Sequence, residues 1–97
     1  MKLKIVRKKT EDYKLFFKLT GEMTVYSAVK LKDVLYRELK SSKGIILDLS
    51  EIDEADTSGF QILLFLKREA AKLGKSFRVS EMSGRLGNIF TLYKETI

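Results

Sequence analysis

The sequence predicts an α/β fold in the order β-β-α-β-α-β-α, a mixed four-stranded sheet with helices packed on one face. Three observations carry this reading. A short apolar run after Gly44, Ile45-Ile46-Leu47-Asp48-Leu49, is followed by a second run, Phe60 to Leu66, that continues through Lys67 to Leu73. The first has the brevity and β-branching of a strand buried on both faces, and the second has the length of a helix. Earlier, Tyr13, Leu15, Phe17 and Leu19 recur with a period of two, whereas Ala28, Leu31, Val34, Leu35 and Leu39 recur at i, i+3, i+4 spacing. The chain has no proline to break an element, and no repeat or linker divides it. Residues 1–97 are expected to form one domain, with right-handed crossovers placing the helices over one side.

Each element follows from local chemistry. Met1 to Lys9 alternates weakly, with Leu3 and Ile5 against Lys2 and Lys4, the pattern of an edge strand whose lysines discourage pairing with other chains. A polar turn of about four residues leads into the Tyr13–Leu19 strand. Thr20-Gly21-Glu22-Met23 reads as a break. Thr24, with Ser27 three residues on, caps the first helix, whose other side carries Lys30, Lys32, Asp33 and Arg37. The strand opened by Gly44 stops at an acidic loop, Ser50 to Asp56, before the second helix, which ends at Gly74. Ser76 to Ser80 forms a short strand with Phe77 and Val79 inward. Ser83-Gly84-Arg85-Leu86 opens a last helix with Leu86, Ile89, Phe90 and Tyr93 on one stripe.

Composition excludes several kinds of chemistry. Of the 97 residues, 44% are hydrophobic and 33% charged, a globular balance. The absence of Cys and His removes disulfides, thiol nucleophiles and the commonest general base and metal ligand. No apolar run approaches the roughly 20 residues of a membrane span, and the first residues lack the core of a signal peptide. The expectation is a cytoplasmic binding or switching module rather than an enzyme, with no cofactor and no membrane partner. Asp48, Asp53 and Asp56 are oxygen-ligand types, but Asp48 falls in the strand and the others on a solvated loop, so no metal site is expected. The net charge of +6 raises a nucleic-acid reading. Against it, the basic residues are scattered, and no Lys or Arg stands between Gly44 and Leu66 while Asp48, Glu51, Asp53, Glu54 and Asp56 crowd there. A solvated basic face is the plainer account, and no direct nucleic-acid contact is expected.

Attention therefore falls on Asp56-Thr57-Ser58-Gly59, where the end of a strand meets the start of a helix, a favoured place for an anion or ligand. Ser58-Gly59-Phe60-Gln61 fits a capping box, which would leave Thr57 just outside the helix with a free hydroxyl. A phosphoryl group there would meet unsatisfied N–H groups and the positive helix end; the same residues also suit ordinary capping. On a helical wheel of about 100° per residue, Ile62, Leu63, Leu66, Ala70 and Leu73 form the core face. Phe60, Leu64 and Ala71 fall opposite, beside Lys67 and Arg68, as either a docking surface or a face covered by another helix.

Four stretches together carry a resemblance. Gly21-Glu22-Met23-Thr24-Val25-Tyr26-Ser27-Ala28, Ile46-Leu47-Asp48-Leu49-Ser50, Asp56-Thr57-Ser58-Gly59-Phe60 and Ala71-Lys72-Leu73-Gly74 are similar in order and spacing to STAS domains of the stand-alone anti-sigma factor antagonist kind. The resemblance implies a phosphoacceptor hydroxyl immediately after the loop aspartate, here Thr57, with Ser58 the alternative. It implies a partner surface including Gly21, Glu22, Thr24, Asp56, Thr57, Ser58 and Gly59, to which the wheel adds Phe60, Leu64, Lys67 and Arg68. The implied partners are an anti-sigma factor with serine/threonine kinase activity and a phosphatase, the domain itself being a monomer or weak dimer. Related domains act in chemosensory or lipid-transport complexes without a sigma factor, which is the alternative the resemblance leaves.

Overall fold

Burial in the second strand alternates without interruption: Leu15, Phe17, Leu19, Gly21 and Met23 are buried, and the residues between them are half-buried. In this computed structural model, which describes residues 3–10 and 12–92, the elements are β1 (Lys4–Lys9), β2 (Leu15–Met23), α1 (Val25–Ser41), β3 (Gly44–Ala55), α2 (Thr57–Leu73), β4 (Ser76–Met82) and α3 (Gly84–Leu92). The sheet runs β1-β2-β3-β4, with β1 antiparallel to β2 and the other two pairs parallel. Element order, mixed sheet and single helical layer are as the sequence predicts.

The two central strands are longer than their sequences advertise. Thr20 to Met23 continues β2, and Ser50 to Ala55 is the outer half of β3 rather than a loop. The two extensions pair with each other, Thr20 with Glu51 and Met23 with Ala55, across register shifts near Lys18 and Gly21. Gly21 adopts φ 112°, a conformation that lets the strand bulge and carry on. Ile52, 1% exposed, anchors the acidic stretch to the core while Glu51, Asp53 and Glu54 point to solvent. Strand polarity misled here because this end of β3 is held by its neighbour's backbone, not by apolar alternation.

Helices cover one face only. Leu31, Leu35 and Leu39 of α1, Ile62, Leu63, Leu66 and Ala70 of α2, and Leu86 of α3 share a cluster with the inward residues of β2 and β3. Ile46, Asp48 and Ser50 face the other way and are half-buried, so β3 is not sealed on both sides as expected. Phe77, Val79 and Ile89 pack against the cluster; the side chain of Phe90 and all of Tyr93 lie outside the described residues.

Three further expectations are corrected. Tyr13 precedes β2 at φ 65° and is 75% exposed, since the turn from Thr10 to Lys14 is closed by Thr10 N–H to the Lys14 carbonyl at 2.9 Å and reverses the chain before the alternation begins. Leu73, meant for the core stripe, is 41% exposed as the last residue before Gly74, whose φ of 67° ends the helix. Thr24 is the N-cap of α1 as expected, but only half of the reciprocal box forms: the Ser27 hydroxyl accepts the Thr24 N–H at 3.1 Å, whereas the Thr24 hydroxyl has no partner.

On the open face Asp48 accepts the Ser50 N–H at 3.0 Å and the Ser50 hydroxyl at 2.7 Å. The Ser50 hydroxyl and N–H hold its carboxyl below the usual aspartate range, with a smaller contribution from Lys18. A carboxyl lowered in the folded state stabilises fully above the ordinary titration range, about pH 4, and loses that contribution as pH falls through the lowered value. Asp48→Asn is therefore expected to reduce the fall in urea midpoint between pH 6 and pH 3, measured against wild type by equilibrium denaturation.

Candidate functional site

One carboxylate organises the junction. Asp56 leaves β3 in extended conformation and its N–H donates to the Met23 carbonyl at 3.3 Å, tying it to the end of β2. Its Oδ1 accepts the Ser58 N–H at 2.8 Å and its Oδ2 accepts the Val25 N–H at 3.1 Å. Asp56 is thus the N-cap of α2 and, through its second oxygen, a partner for the first residue of α1. Ser58 is not the cap. The acid two residues earlier takes that place because a carboxylate has two oxygens and can serve two helix ends at once. Thr57 is consequently the first residue of α2, not a residue outside it.

The first turn of α2 is pressed onto the end of β2. A Cβ on Gly59 would stand 2.7 Å from the Met23 carbonyl oxygen and 3.0 Å from the Met23 Cβ, so only glycine allows this approach. The Gly59 N–H donates to the Asp56 carbonyl at 3.1 Å. Phe60 follows into the core at 6% exposure, which removes it from the surface the wheel assigned to it. The wheel placed the core face on Ile62, Leu63, Leu66, Ala70 and Leu73, but the close contact at Gly59 turns Phe60 inward as well. Leu64 is half-buried and packs against the core.

Thr57 remains exposed, and its hydroxyl has no hydrogen-bond partner among the described residues. Ser58 is half-buried and lines a groove between α1 and α2 with Ala28, Val29, Lys32, Gln61 and Phe65. The structure brings Thr24, Asp56, Thr57, Ser58 and Gly59 to one corner. Gly21 is buried within β2 and acts on the site only by shaping the strand, while the Glu22 carbonyl accepts the Ser27 hydroxyl at 3.0 Å beneath α1. Lys67 and Arg68 are exposed but lie about 15 Å farther along α2 at 1.5 Å per residue.

The sequence reading missed the apolar side of this corner. Val25, Tyr26 and Val29 are 58%, 96% and 73% exposed. They stand off the buried stripe of α1, among its lysines, which is the signal that could have found them: apolar residues where an amphipathic helix should be polar. The acidic crowd, by contrast, is dispersed. Glu51 pairs with Lys18 at 3.0 Å, Glu54 lies 3.9 Å from Arg85, and Asp56 is engaged by backbone. Among the described residues no three acidic groups converge on a point that could hold a metal ion.

Asp56→Ala should release both helix starts and lower stability by about 1–3 kcal/mol, the sum of one ordinary cap and a second shared bond. Gly59→Ala should cost about 1–3 kcal/mol through overpacking alone. Thermal denaturation of both, with Thr57→Ala as an exposed control within about 0.5 kcal/mol of wild type, checks the assignment.

Comparison with known proteins agrees with this architecture. Solved structures of similar shape include an anti-sigma factor antagonist from Mycobacterium paratuberculosis, at 16% identity and TM-score 0.83, with 96% of this chain and 79% of that one covered. A putative anti-sigma factor antagonist from Thermotoga maritima gives 16% identity and TM-score 0.82, over 93% and 78% of the two chains. The Bacillus cell fate determinant SpoIIAA in its phosphorylated form gives 15% identity and TM-score 0.71, over 93% and 83%. These likenesses are of fold. The family model described as "Mlab, STAS domain" matches residues 6–94, nearly the whole sequence, and the chain belongs to the STAS domain family.

Proposed function

We propose that the protein is a phosphorylation-controlled protein-binding switch of the anti-sigma factor antagonist kind, not an enzyme. The unmodified form binds a partner anti-sigma factor that is also a serine/threonine kinase, and so frees a sigma factor. Phosphorylation of Thr57 blocks that binding, and a phosphatase restores it. The observation that carries the reading is the exposed, unengaged Thr57 hydroxyl at the corner where both helices start, beside exposed Val25, Tyr26 and Val29. Support also comes from the similarly folded SpoIIAA, whose structure is known in phosphorylated and unphosphorylated forms.

The physical scheme rests on what surrounds the hydroxyl. A phosphate adds about −1.5 to −2 charges. Asp56 already occupies the Ser58 and Val25 N–H groups, so the added charge projects outward next to a carboxylate. Two helix N-termini tolerate it electrostatically, and the fold survives. A partner covering Tyr26 and Val29 would have to bury that charge, which costs several kcal/mol. The repulsion comes from Asp56 rather than from the whole acidic stretch, because Glu51 and Glu54 are compensated elsewhere.

A second reading, an adaptor in a chemosensory or lipid-transport complex, uses the same corner with Thr57 unmodified. It is favoured by the apolar side chains of α1, which need no phosphate to bind.

Incubation with ATP and a candidate partner kinase, followed by mass spectrometry, is expected to place phosphate on Thr57; incorporation elsewhere or none favours the adaptor. In pull-downs Thr57→Ala should bind like wild type and Thr57→Glu at least about tenfold more weakly. Equal binding by all three sinks the switch. Tyr26→Ala should weaken partner binding by more than about 1 kcal/mol while leaving the melting temperature unchanged, as for an exposed aromatic anchor.

A further inference from the structure

The basic residues that lie apart in the sequence are gathered by the fold at the pole opposite Thr57. Because β2, β3 and β4 are parallel, the turn before β2, the α1–β3 junction and the α2–β4 junction reach the same end of the sheet. A concavity of about 670 Å³ opens there, walled by Arg7, Lys9, Lys14, Lys40, Lys43 and Lys75. These are six of the 19 Lys and Arg in the chain, with the hydroxyls of Thr10, Ser41 and Ser42 between them. No described carboxylate lines it.

Some of these cations are already engaged. Arg7 pairs with Glu38 at 2.6 Å and Lys14 lies 3.4 Å from Asp12. The Lys75 amine donates to the Leu39 carbonyl at 3.0 Å and to that of Lys40, closing the end of α1. Lys9, Lys40 and Lys43 have no carboxylate partner among the described residues. The Lys40 amine lies 4.7 Å from the centre of the Tyr36 ring and that of Lys43 lies 5.3 Å from the Tyr13 ring. Like charges focused in a concavity repel one another unless an anion joins them. Tyr13 is the second observation. It is a bulky residue held at φ 65°, a conformation costly for any side chain with a Cβ. Its carbonyl accepts the Lys43 N–H at 3.1 Å, so the strained turn places both a lysine and an exposed ring at the mouth.

We propose that this concavity binds a small ligand carrying two or more phosphate groups. Its volume falls in the range of small-molecule sites, about 300–1,000 Å³. Its inward curve suits a compact polyanion better than a flat membrane or a duplex. The hydroxyls of Thr10, Ser41 and Ser42 donate to carbonyl or carboxylate oxygens of the protein itself, so the donors left for phosphate oxygens are the lysine amines. The site is remote from the Thr57 corner and stands independently of the switch.

Isothermal titration calorimetry of the intact protein with inorganic tripolyphosphate tests this. Wild type should show saturable one-to-one binding. Lys9→Gln/Lys43→Gln should bind at least about tenfold more weakly, while Lys4→Gln/Lys30→Gln, which removes the same charge outside the concavity, should bind like wild type. Thermal melts of each variant verify folding, and Lys40→Gln serves if the double variant does not fold. Absence of saturable binding by wild type, or equal weakening in both double variants, overturns the proposal. Sedimentation with vesicles of phosphatidylglycerol and phosphatidylcholine without tripolyphosphate binding also overturns it, because that is the response of a charged surface rather than of a site.

Discussion

The arrangement of this domain depends on the Asp56 carboxylate. Its two oxygens receive one backbone N–H from each of α1 and α2, and its own N–H is bound to the end of β2. Two helix starts and two strand ends are therefore fixed to one residue. The positive ends of both helix dipoles converge on a negative group, which favours the arrangement electrostatically as well as through hydrogen bonds. Gly59 adds the steric half of the constraint, since its missing Cβ lets α2 lie against Met23. With the cap and the close contact in place, Phe60 turns inward and Thr57 has no direction left but outward.

That geometry separates the groups that hold the fold from those left exposed. The groups that hold the corner together are backbone amides, one carboxylate and one glycine, all engaged within the domain. The groups left to the surface are a hydroxyl and the side chains of Val25, Tyr26 and Val29. A chemical change at the hydroxyl therefore acts on what can be laid against the corner before it acts on the corner itself. The switch proposed for Thr57 requires contact residues that contribute little to stability, and exposed positions in the first turns of two well-anchored helices meet that requirement.

Much of this was legible in the sequence, for definite reasons. The order of elements followed from periodicity, because Leu31, Leu35 and Leu39 on one helix face and Leu15, Phe17 and Leu19 on one strand face can each be buried in only one way. That Asp56 and Thr57 stand where a strand meets a helix start was also legible, from the apolar runs on either side of them. What escaped was set by contacts between distant segments. Glu51 to Ala55 belongs to a strand because Thr20 to Met23 lies beside it, and neither segment declares this alone. The cap fell to Asp56 and not Ser58 because Val25, far away in the chain, offered a second donor. Phe60 could not be placed from a wheel because the wheel does not know how closely the helix approaches β2.

The charge of the molecule teaches the same lesson in electrostatic terms. A net charge of +6 spread along a sequence reads as a solvated face, yet parallel strands sort residues by their position along the strand. Loops before β2 and β3 carry the lysines and the strand ends after them carry the acids. A parallel sheet therefore turns an alternation along the chain into two poles in space, one with Glu51, Asp53, Glu54 and Asp56, the other with Lys9, Lys40 and Lys43. A scalar net charge cannot express this separation. Which kind of partner each end attracts depends on the local balance, and at the Thr57 end, where Glu51 and Glu54 are paired with Lys18 and Arg85, it is the Asp56 carboxylate that an added phosphate would stand beside.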